Sequence, residues 1–369
     1  MTKEILYLIT ILIVLLDSYY FAIYLAQSIK GGKKRKERNY FSFISVIVPV
    51  YNGESTLREC LSSLLRSDYK GFEVIVVNDG STDRTSEILR EYKKIEVLTI
   101  PHAGKSEALN FGIQRAKGEI VLTDADTIFE RDTLSKLSRN LEKFHAVSGN
   151  LRVAKAKGFF GRLQRIEHLR ASMFKKVSLF RSKIDIIPGP IGAFRKEVFE
   201  ECKFAGSQVE DLEFTLKLKE KAFKITYEPE ALAYTRMPEN LKAFIRQRFR
   251  WSCGNFQLAF EKKISPLSIL VTLFLASLDL TILSLAFLTK SYVLLAGFLA
   301  FLSFTMIVGN AVEREKLFFD SLIFPLFMWF LDFFILALYI TVFLRYFLLS
   351  KRIIRICENR FWWFVGKWN

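Results

Sequence analysis

Carboxylates follow the apolar runs of this 369-residue chain at places where they could act together. Asp79 comes after one β-branched run, and Asp124 and Asp126 come after another. Side chains two residues apart in an extended segment point to the same side, so Asp124 and Asp126 suit a hard divalent cation that bridges to phosphate oxygens. An isolated Asp-x-Asp sequence is common by chance, and the apolar strand before it is what favours a metal site here.

Glu210 and Asp211 form a second acidic pair, at the start of a helical pattern that continues over Leu212–Glu220. The helix dipole alone favours acidic side chains in a first turn, and the functional alternative makes one of the two a general base. Lys105 begins another helical pattern. Because the phosphate-binding sequence Gly-x-x-x-x-Gly-Lys-Ser/Thr is absent, Lys105 either reaches a diphosphate from the helix start or is a solvated lysine.

Gln247, Arg250 and Trp251 share one face of a predicted helix. Arginine binds phosphate through two parallel hydrogen bonds, and tryptophan offers an apolar plate with one donor. An amide, a guanidinium and an indole together therefore suit a diphosphate and a sugar ring. The alternative is a basic helix at a membrane interface, anchored by its tryptophan.

The elements that must position these groups alternate between β-branched runs and helical patterns. Continuous apolar strands joined by helices indicate a mostly parallel sheet covered on both faces, and such a sheet binds ligands at the carboxyl ends of its strands. Asp83 is expected to cap a helix. The predicted strands are Ile44–Val50, Phe72–Val77, Ile95–Ile100 and Glu119–Thr123, and the predicted helices between them are Ser55–Arg66, Asp83–Tyr92 and Lys105–Ala116.

Apolar segments long enough to cross a bilayer lie at both ends of the chain. Ile5–Ile29 is the first, and the basic run 30–38 after it places the N-terminus outside and the following domain in the cytoplasm. Asp332 falls at mid-membrane depth, either as a functional group or in an interhelical hydrogen bond. The later predicted spans are Pro266–Thr289, Tyr292–Val312 and Ser321–Leu348, with a bend near Pro325 as the alternative for the last.

Two further segments, Phe159–Phe180 and Leu241–Phe260, repeat apolar side chains every three or four residues with basic side chains between them. Such helices lie flat at a membrane interface, and packing on the soluble domain is the alternative. The formal net charge of +16 fits anionic lipid better than nucleic acid, because the basic residues cluster beside apolar spans. The four cysteines lack metal-ligand spacing and are expected to be free thiols.

The acidic residues and the segment Gln247–Trp251, taken in the order in which they occur along the chain, resemble the motifs of family 2 glycosyltransferases. The most similar branch is membrane-embedded and contains the hyaluronan, chitin-oligosaccharide, poly-N-acetylglucosamine and cellulose synthases. The resemblance covers about residues 45–251 and extends to the flanking spans. It is carried by Val48–Asn52, Val77–Asp83, Asp124–Asp126, Glu210–Asp211 and Gln247–Trp251, with support from Gly149–Val153 and Gly189–Arg195.

The resemblance implies an α/β fold, a cytoplasmic GT-A domain with a mostly parallel, Rossmann-like sheet, flanked by transmembrane helices and interfacial amphipathic helices. It also implies an inverting, metal-dependent hexosyltransferase in the plasma membrane. The expected donor is a nucleotide-sugar, UDP-linked, with Mg²⁺ or Mn²⁺ as cofactor. The expected acceptor is a growing polysaccharide, and the alternative is a single transfer onto a lipid carrier or glycolipid. A non-catalytic membrane scaffold or transporter is disfavoured by the complete set of carboxylates.

The resemblance also assigns roles to individual residues. Asp211 is implied as the base that deprotonates the acceptor hydroxyl, and Asp126 as the closer of the two metal ligands. The full set is Tyr51, Glu54 and Asp79 at the nucleoside, Lys105, Asp124, Gln247 and Arg250 at the donor diphosphate, Asp124 and Asp126 at the metal, and Glu210 and Trp251 at the acceptor. Two positions depart from the family pattern, since Asn78 stands where many members have Asp and Val209 where many have Thr.

A domain layout follows from these predictions. It runs from a transmembrane helix at 1–30 through a basic cytoplasmic linker at 31–43 to the GT-A domain at 44–240. It continues with an interfacial helix at 241–265, about three spans in 266–349, and a basic aromatic tail at 350–369.

Overall fold

The computed structural model describes residues 2–31, 42–154, 156–180, 184–261, 282 and 284–348. The chain divides into two compact units. We call Leu15–Glu239 with Thr305–Ser321 the sheet unit, and Met1–Val14, Asn240–Phe304 and Leu322–Asn369 the helical unit. The basic linker, most of the predicted span Pro266–Thr289, Cys357 and the C-terminal tail lie outside the described residues.

The sheet unit contains eight strands and the helices between them. The strands are β1 (Ile44–Val50), β2 (Phe72–Asp79), β3 (Glu96–Ile100), β4 (Glu119–Leu122), β5 (Thr127–Phe129), β6 (Ala146–Val153), β7 (Gly192–Phe194) and β8 (Ile225–Thr235). The helices are α2 (Leu57–Leu65), α3 (Thr85–Arg90), α4 (Lys105–Arg115), α5 (Thr133–Leu141), α6 (Gly158–Phe180), α7 (Val198–Glu201) and α8 (Glu210–Glu220). Before them runs α1 (Thr2–Gly31), whose second half belongs to this unit.

One mixed sheet organises this unit, with the strand order β3-β2-β1-β4-β7-β6-β8-β5. The first four strands in that order pair in parallel, because helices connect them. Strand β7 pairs antiparallel with both β4 and β6, while β6 and β8 pair in parallel. The sheet is therefore parallel where the sequence predicts it and mixed beyond β4.

Buried apolar residues cover both faces of the sheet. Every residue of β1 is buried, as a strand with helices on both sides requires. Val46, Val48 and Val76 point into one core, and Ile47, Ile75 and Val77 point into the other. This alternation holds the carboxyl ends of β1, β2 and β4 at one edge, where the polar residues follow.

The predicted strands and helices of the first half are confirmed within two residues at most boundaries. Strand β2 runs two residues past its predicted end and includes Asp79, which pairs with Ile100 on β3. Helix α2 begins later than predicted, at Leu57. The residues before it form a turn, in which the Gly53 carbonyl accepts hydrogen bonds from the Thr56 and Leu57 amides. The Asp83 carboxylate accepts from the Thr85 amide at 3.0 Å, at the first residue of α3, although the N-cap position itself is Arg84 and not Asp83 as expected.

Helix α6 packs on the sheet. Its apolar stripe is buried in the sheet unit, and Ser172 donates from its hydroxyl to the Asn150 side chain on β6 at 2.7 Å. Packing on the soluble domain, the alternative given for this segment, is thus correct for one face of the helix. Phe159, Phe174 and Phe180 are exposed on it, and their position at a membrane surface stays a prediction.

A buried ionic cluster ties α6 and β6 to the segment that follows the helix Tyr292–Val312. Glu313 accepts hydrogen bonds from Lys176, from Tyr24 of α1 at 3.0 Å and, at its backbone carbonyl, from Arg152 at 2.9 Å. Glu315 pairs with Arg165 at 2.7 Å and with Arg152 at 3.3 Å. These residues form the Glu313 cluster, which fixes residues 313–315 to the sheet unit by charge.

The helical unit contains α9 (Leu241–Phe260) and α12 (Phe324–Leu348), with most of α10 (Tyr292–Val312). Phe249 and Phe256 of α9 pack with Tyr339 and Val342 of α12 in one apolar cluster. The boundaries predicted for α9 are confirmed, and Asp332 is buried within this unit.

Three helices in the described residues are long and apolar enough to cross a membrane: Glu4–Lys30, Tyr292–Val312 and Phe324–Val342. The last replaces the predicted span Ser321–Leu348, because the short helix α11 (Phe318–Leu322) ends before Ile323 and α12 begins at Phe324. Pro325 lies in the first turn of α12, where a missing amide breaks no helical hydrogen bond. The bend predicted near Pro325 therefore lies within two residues of the observed break between α11 and α12.

We predict that Glu313→Gln destabilises the protein, because removing one partner from a buried ionic cluster leaves the others uncompensated. Glu313 has a side chain that is only 3% exposed, and loss of a buried pair costs about 3–5 kcal/mol of unfolding free energy. Thermal unfolding of the full-length protein in detergent measures this effect. Glu200→Gln, at an exposed acid of the same unit, is the matched control. Equal unfolding temperatures for the two variants contradict the prediction.

Candidate active site

Lys105 joins two acidic pairs that are far apart in the sequence. It is the first residue of α4, and its ammonium nitrogen lies 2.7 Å from Asp124 Oδ1 and 2.9 Å from Glu210 Oε1. Asp124 follows β4, and Glu210 begins α8. The strand end, the helix α8 and the helix α4 therefore meet at one cleft, as the parallel half of the sheet predicts.

The charges in this cleft depend on one another. Burial by itself lowers the pKa of Lys105, but Asp124 and Glu210 outweigh it and raise that pKa, so the lysine stays protonated. Burial and the neighbouring Asp124 raise the pKa of Asp126. One ammonium thus holds together carboxylates that would otherwise repel, and the cleft as a whole keeps an excess of negative charge.

Asp126 is held by hydroxyl groups. Its Oδ1 accepts from Thr235 of β8 at 3.2 Å and from Thr127 at 3.3 Å. These bonds fix the side chain beside Asp124 without neutralising it. Beneath them, the buried Cys60 thiol donates to the Asp124 carbonyl at 3.5 Å, and burial raises its pKa, so it remains a neutral packing residue.

The pair Asp124 and Asp126 fits a divalent cation that completes its coordination with substrate. Within the part of the chain that the structure describes, no group of three or more His, Cys, Asp or Glu residues forms a metal cage. Mg²⁺ characteristically uses only one or two protein carboxylates together with substrate phosphates and water. The raised pKa of Asp126 indicates a buried pair of carboxylates that a cation would relieve. The donor set therefore fits the predicted ion.

Asp211 lies next to Glu210 in the first turn of α8. Burial and the charge of Glu210 raise its pKa, while Lys105 and the backbone amides of Leu212 and Gly189 lower it. A side chain on Gly189 would have its Cβ 3.4 Å from the Lys105 ammonium and 4.0 Å from Asp211, so this glycine lets the backbone approach both. The result is a carboxylate of raised basicity at the wall of the cleft.

Asp79 fixes the loop that carries Lys105. Its carboxylate accepts from the Ala103 amide at 2.7 Å and from the Gly104 amide at 3.0 Å, and it lies 3.0 Å from the His102 ring nitrogen. Gly80 has φ of +67°, and a Cβ there would lie 2.7 Å from the His102 amide. The turn after β2 and the loop before α4 are therefore packed as one piece. Direct contact of Asp79 with a nucleoside stays a prediction.

Tyr51 and His102 form an aromatic pair at the same edge. Their rings stack with centroids 4.2 Å apart, and both side chains are about half exposed. Glu54 is bound to Arg84 at 3.0 Å and to the Arg84 amide at 3.1 Å. Tyr51 is thus placed to stack on a planar ligand, whereas Glu54 is engaged in holding α3. The nucleoside roles of both remain predictions.

The two departures from the family pattern have local explanations. The Asn78 amide donates to Ser86 at 3.0 Å and accepts from the Ser81 amide at 3.1 Å, a pair of roles that a carboxylate would not fill. Val209 is buried at the start of α8, and the Ser207 hydroxyl accepts from its amide at 3.1 Å. Neither substitution disturbs the acidic residues beside it.

Gln247, Arg250 and Trp251 lie in α9 of the helical unit. Arg250 is exposed, while the neighbouring Arg248 is buried with its guanidinium 4.5 Å from the Trp251 ring centre. Arg248 stacks on the Trp251 indole and holds it in place, a role that was not predicted from the sequence. The predicted roles of Gln247, Arg250 and Trp251 at the donor and acceptor stay predictions.

Three residues of the sheet-unit site were not found from the sequence. His102 belongs to no predicted motif, and Gly189 begins the supporting segment Gly189–Arg195 but was given no role; the structure places them beside Tyr51 and Lys105. Lys175 of α6 reaches Ser148 on β6 at 3.1 Å. The buried polar residues Gln164 and Ser172 in an otherwise apolar stripe were the available signal that α6 carries more than a packing face.

Comparison with known proteins shows what the chain is similar to. Residues 45–203 match the family model described as Glycosyl transferase family 2. The chain is similar to a poly-β-1,6-N-acetyl-D-glucosamine synthase of Staphylococcus epidermidis, with 29% identity over 319 residues that cover 81% of this chain and 74% of that protein. The corresponding synthase of Staphylococcus aureus strain COL is 30% identical over 235 residues, which cover 61% of this chain and 57% of the relative.

Among solved structures, a mannosyltransferase from Pyrobaculum calidifontis in complex with GDP-Man and Mn²⁺ matches with a TM-score of 0.55 and 20% identity, over 92% of this chain and 99% of that one. This likeness shows a shared GT-A fold. Residues 45–203 form a family 2 glycosyltransferase domain on that fold, in an enzyme that resembles the poly-N-acetylglucosamine synthases.

Proposed function

We propose that this enzyme transfers a sugar from a UDP-linked donor, with inversion, to a growing polysaccharide at the membrane. The observation that carries the proposal is the Lys105 bridge, which brings the metal-type pair Asp124 and Asp126 to the base-type pair Glu210 and Asp211 in one cleft. The curated relatives are named as synthases of poly-β-1,6-N-acetyl-D-glucosamine, so N-acetylglucosamine is the first sugar to test.

Asp211 serves as the general base. Direct displacement at an anomeric carbon needs a hydroxyl nucleophile that loses its proton as the new bond forms, while the nucleoside diphosphate leaves from the opposite face. Burial and Glu210 raise the pKa of the Asp211 carboxyl, which strengthens it as a proton acceptor. The Gly189 amide and Lys105 act in the opposite direction, since both stabilise the ionised form of this carboxyl.

The donor diphosphate binds between Lys105 and the pair Asp124 and Asp126. Lys105 offers a protonated ammonium that already bridges two carboxylates, and it can exchange one of them for a phosphate oxygen. Asp124 and Asp126 would hold Mg²⁺ or Mn²⁺, which supplies charge neutralisation for the leaving diphosphate. The mannosyltransferase of the same fold, which was solved with Mn²⁺, is consistent with this use of the pair.

The nucleoside side of the cleft is the stacked pair Tyr51 and His102. A base of the donor stacks on the exposed tyrosine ring, and Asp79 holds the loop beside it. Gln247 and Arg250 of α9 are the proposed donor-binding residues of the helical unit, and Trp251, held by Arg248, is a proposed acceptor-binding residue there.

The enzyme is an integral membrane protein of the cell membrane with its catalytic domain in the cytoplasm. Candidate spans in the described residues lie on both sides of the domain in sequence, which supports anchoring at both ends. The Glu313 cluster places the segment after Val312 against the sheet unit, so the span Tyr292–Val312 ends on the cytoplasmic side.

Asp211→Asn is expected to lower transfer by about 10²- to 10⁴-fold, because the amide cannot accept the acceptor proton. Binding of the nucleoside diphosphate is expected to persist, since the change leaves Lys105 and Asp124 in place. Release of nucleoside diphosphate and equilibrium titration of UDP measure the two effects. Glu220→Gln, at the exposed end of the same helix, is the matched control. Near-normal turnover of Asp211→Asn removes Asp211 from the base role.

Asp126→Ala is expected to abolish the metal dependence of donor binding, because one of two carboxylate ligands is lost. UDP titration with and without Mn²⁺ measures this dependence directly, without reference to turnover. Glu87→Ala removes an exposed carboxylate from α3 and should bind UDP like the native protein. If Mn²⁺ strengthens UDP binding to Asp126→Ala as much as to the native protein, Asp126 is not a metal ligand.

Product length decides between the two transfer modes. Incubation of the full-length protein with labelled UDP-N-acetylglucosamine is expected to yield a ladder of saccharides, resolved by gel or mass spectrometry. A single lipid-soluble product instead identifies transfer to a lipid carrier or glycolipid. A screen of UDP- and GDP-sugars for diphosphate release precedes this experiment, and absence of release with every donor contradicts the proposed function.

A further inference from the structure

Lys175 is a cation of the sheet unit that the mechanism above leaves unused. It lies on α6, is partly buried, and donates to the Ser148 hydroxyl at 3.1 Å. Its ammonium nitrogen also lies 5.6 Å from the centre of the Tyr227 ring on β8. Among the described residues no carboxylate is within ion-pair distance of it, in contrast to the neighbouring Lys176, which binds Glu313. A lysine in this position keeps hydrogen-bond donors available to a ligand.

The position of Lys175 is fixed from several sides. Three residues before it on α6, Ser172 is bonded to Asn150 at 2.7 Å, and one turn earlier the His168 ring lies 3.2 Å from the Leu151 carbonyl. These contacts hold α6 against β6 in a single register. The backbone of Lys175 is therefore fixed, and its ammonium is held in turn by the Ser148 hydroxyl and the Tyr227 ring, which favours a preorganised binding group.

Backbone pairing connects Lys175 to the base. Ser148 pairs with Gly192 of β7, which directly follows the turn Gly189–Ile191. The amide of Gly189, at the start of this turn, donates to Asp211. Gly149 packs so tightly on Ile191 that a Cβ there would lie 2.4 Å from its side chain, so the turn is held rigidly against β6. The hydrogen-bond partner of Lys175 on β6 and the hydrogen-bond partner of Asp211 in the turn are thus joined through the pairing of β6 with β7.

The charged groups that act on Lys175 include the proposed base. The carboxylates that act on it are Asp211 on α8 and Asp185 in the segment before the turn. Tyr227 faces it from β8, and burial raises the pKa of this phenol, so it stays neutral. Lys105, by contrast, is committed to Asp124 and Glu210. The two lysines therefore serve different parts of the site.

We infer that Lys175 binds the acceptor, by donating hydrogen bonds from its ammonium to hydroxyl oxygens of the sugar that Asp211 deprotonates. This assignment rests on the proposed function and adds a residue from α6 to it. The ligand chemistry is that of a polyhydroxylated, uncharged saccharide, which an ammonium can bind through several donors at once.

The assignment has a consequence for pH. Burial lowers the pKa of Lys175 to about 8, and Asp211 and Asp185 offset only part of that shift. A group with a lowered pKa loses its proton as pH rises through the lowered value, so acceptor binding should weaken above about pH 8. Burial raises the pKa of the Tyr227 phenol, and the carboxylates around Lys105 raise the pKa of that lysine, so Lys175 is the basic group of this region whose pKa is lowered to about 8.

The test compares Lys175→Met, Lys175→Arg and the native full-length protein in detergent. A short β-1,6-linked N-acetylglucosamine oligosaccharide is the probe, followed by direct binding and by its KM in transfer from UDP-N-acetylglucosamine. Lys175→Met is expected to raise the acceptor Kd and KM about 10- to 100-fold, to leave UDP binding unchanged, and to lose the decline above about pH 8. Lys175→Arg should keep binding at higher pH than the native protein.

Lys157→Met, at an exposed lysine just before α6, is the matched control for removal of one charge. Thermal unfolding confirms that each variant is folded. A Lys175→Met protein with native acceptor affinity, or one that retains the alkaline decline, overturns the assignment. Acceptor binding that depends on Lys175 in a protein that releases no nucleoside diphosphate contradicts the proposed function alone, and absence of oligosaccharide binding to the native protein overturns the assignment itself.

Discussion

A single ammonium group, that of Lys105, holds the catalytic cleft together. Without it, Asp124 and Glu210 would bring like charges to the same wall of a partly buried cavity, where repulsion is far stronger than in water. The bridge is also exchangeable, since a phosphate oxygen or a metal ion can replace one carboxylate partner. The bridge thus holds the cleft together without substrate, and the remaining excess of negative charge is what a divalent cation would offset when a nucleoside diphosphate binds. Asp79 supports the bridge indirectly, because it fixes the backbone of the loop that precedes Lys105.

The sheet gives this bridge its geometry. Parallel pairing of β1, β2 and β4 brings Tyr51, Asp79 and Asp124 to one edge, and the antiparallel insertion of β7 brings Gly189 and α8 to the same cleft. Helix α6 packs on β6 through Ser172 and Lys175, and the next residue, Lys176, belongs to the Glu313 cluster. The same helix therefore links β6 to the segment that follows an apolar span. This arrangement suits an enzyme whose product forms beside a bilayer.

Local patterns were sufficient for the parallel half of the fold and for most of the site. Strands such as β1 are continuous apolar runs, and a carboxylate directly after such a run lies at the carboxyl edge wherever the sheet is parallel. Strands β5 and β7 have only three residues each, too few for any periodicity, and their pairing depends on partners distant in sequence. Asp124, Asp126, Glu210 and Asp211 could therefore be singled out, whereas the contact between the two pairs could not.

The sequence by itself determined the chemistry of the groups, the parallel pairing of the first strands, the amphipathic character of α6 and α9, and candidate membrane segments at both ends. Only the tertiary structure decided which groups meet. It gave Lys105 two carboxylates, stacked Tyr51 on His102, and left Lys175 with a hydroxyl partner in place of an acid. The physical reason is range: propensity and periodicity act over a few neighbouring residues, while a salt bridge or a stacked ring joins residues that only the packing of the whole sheet brings within 3 to 4 Å of each other.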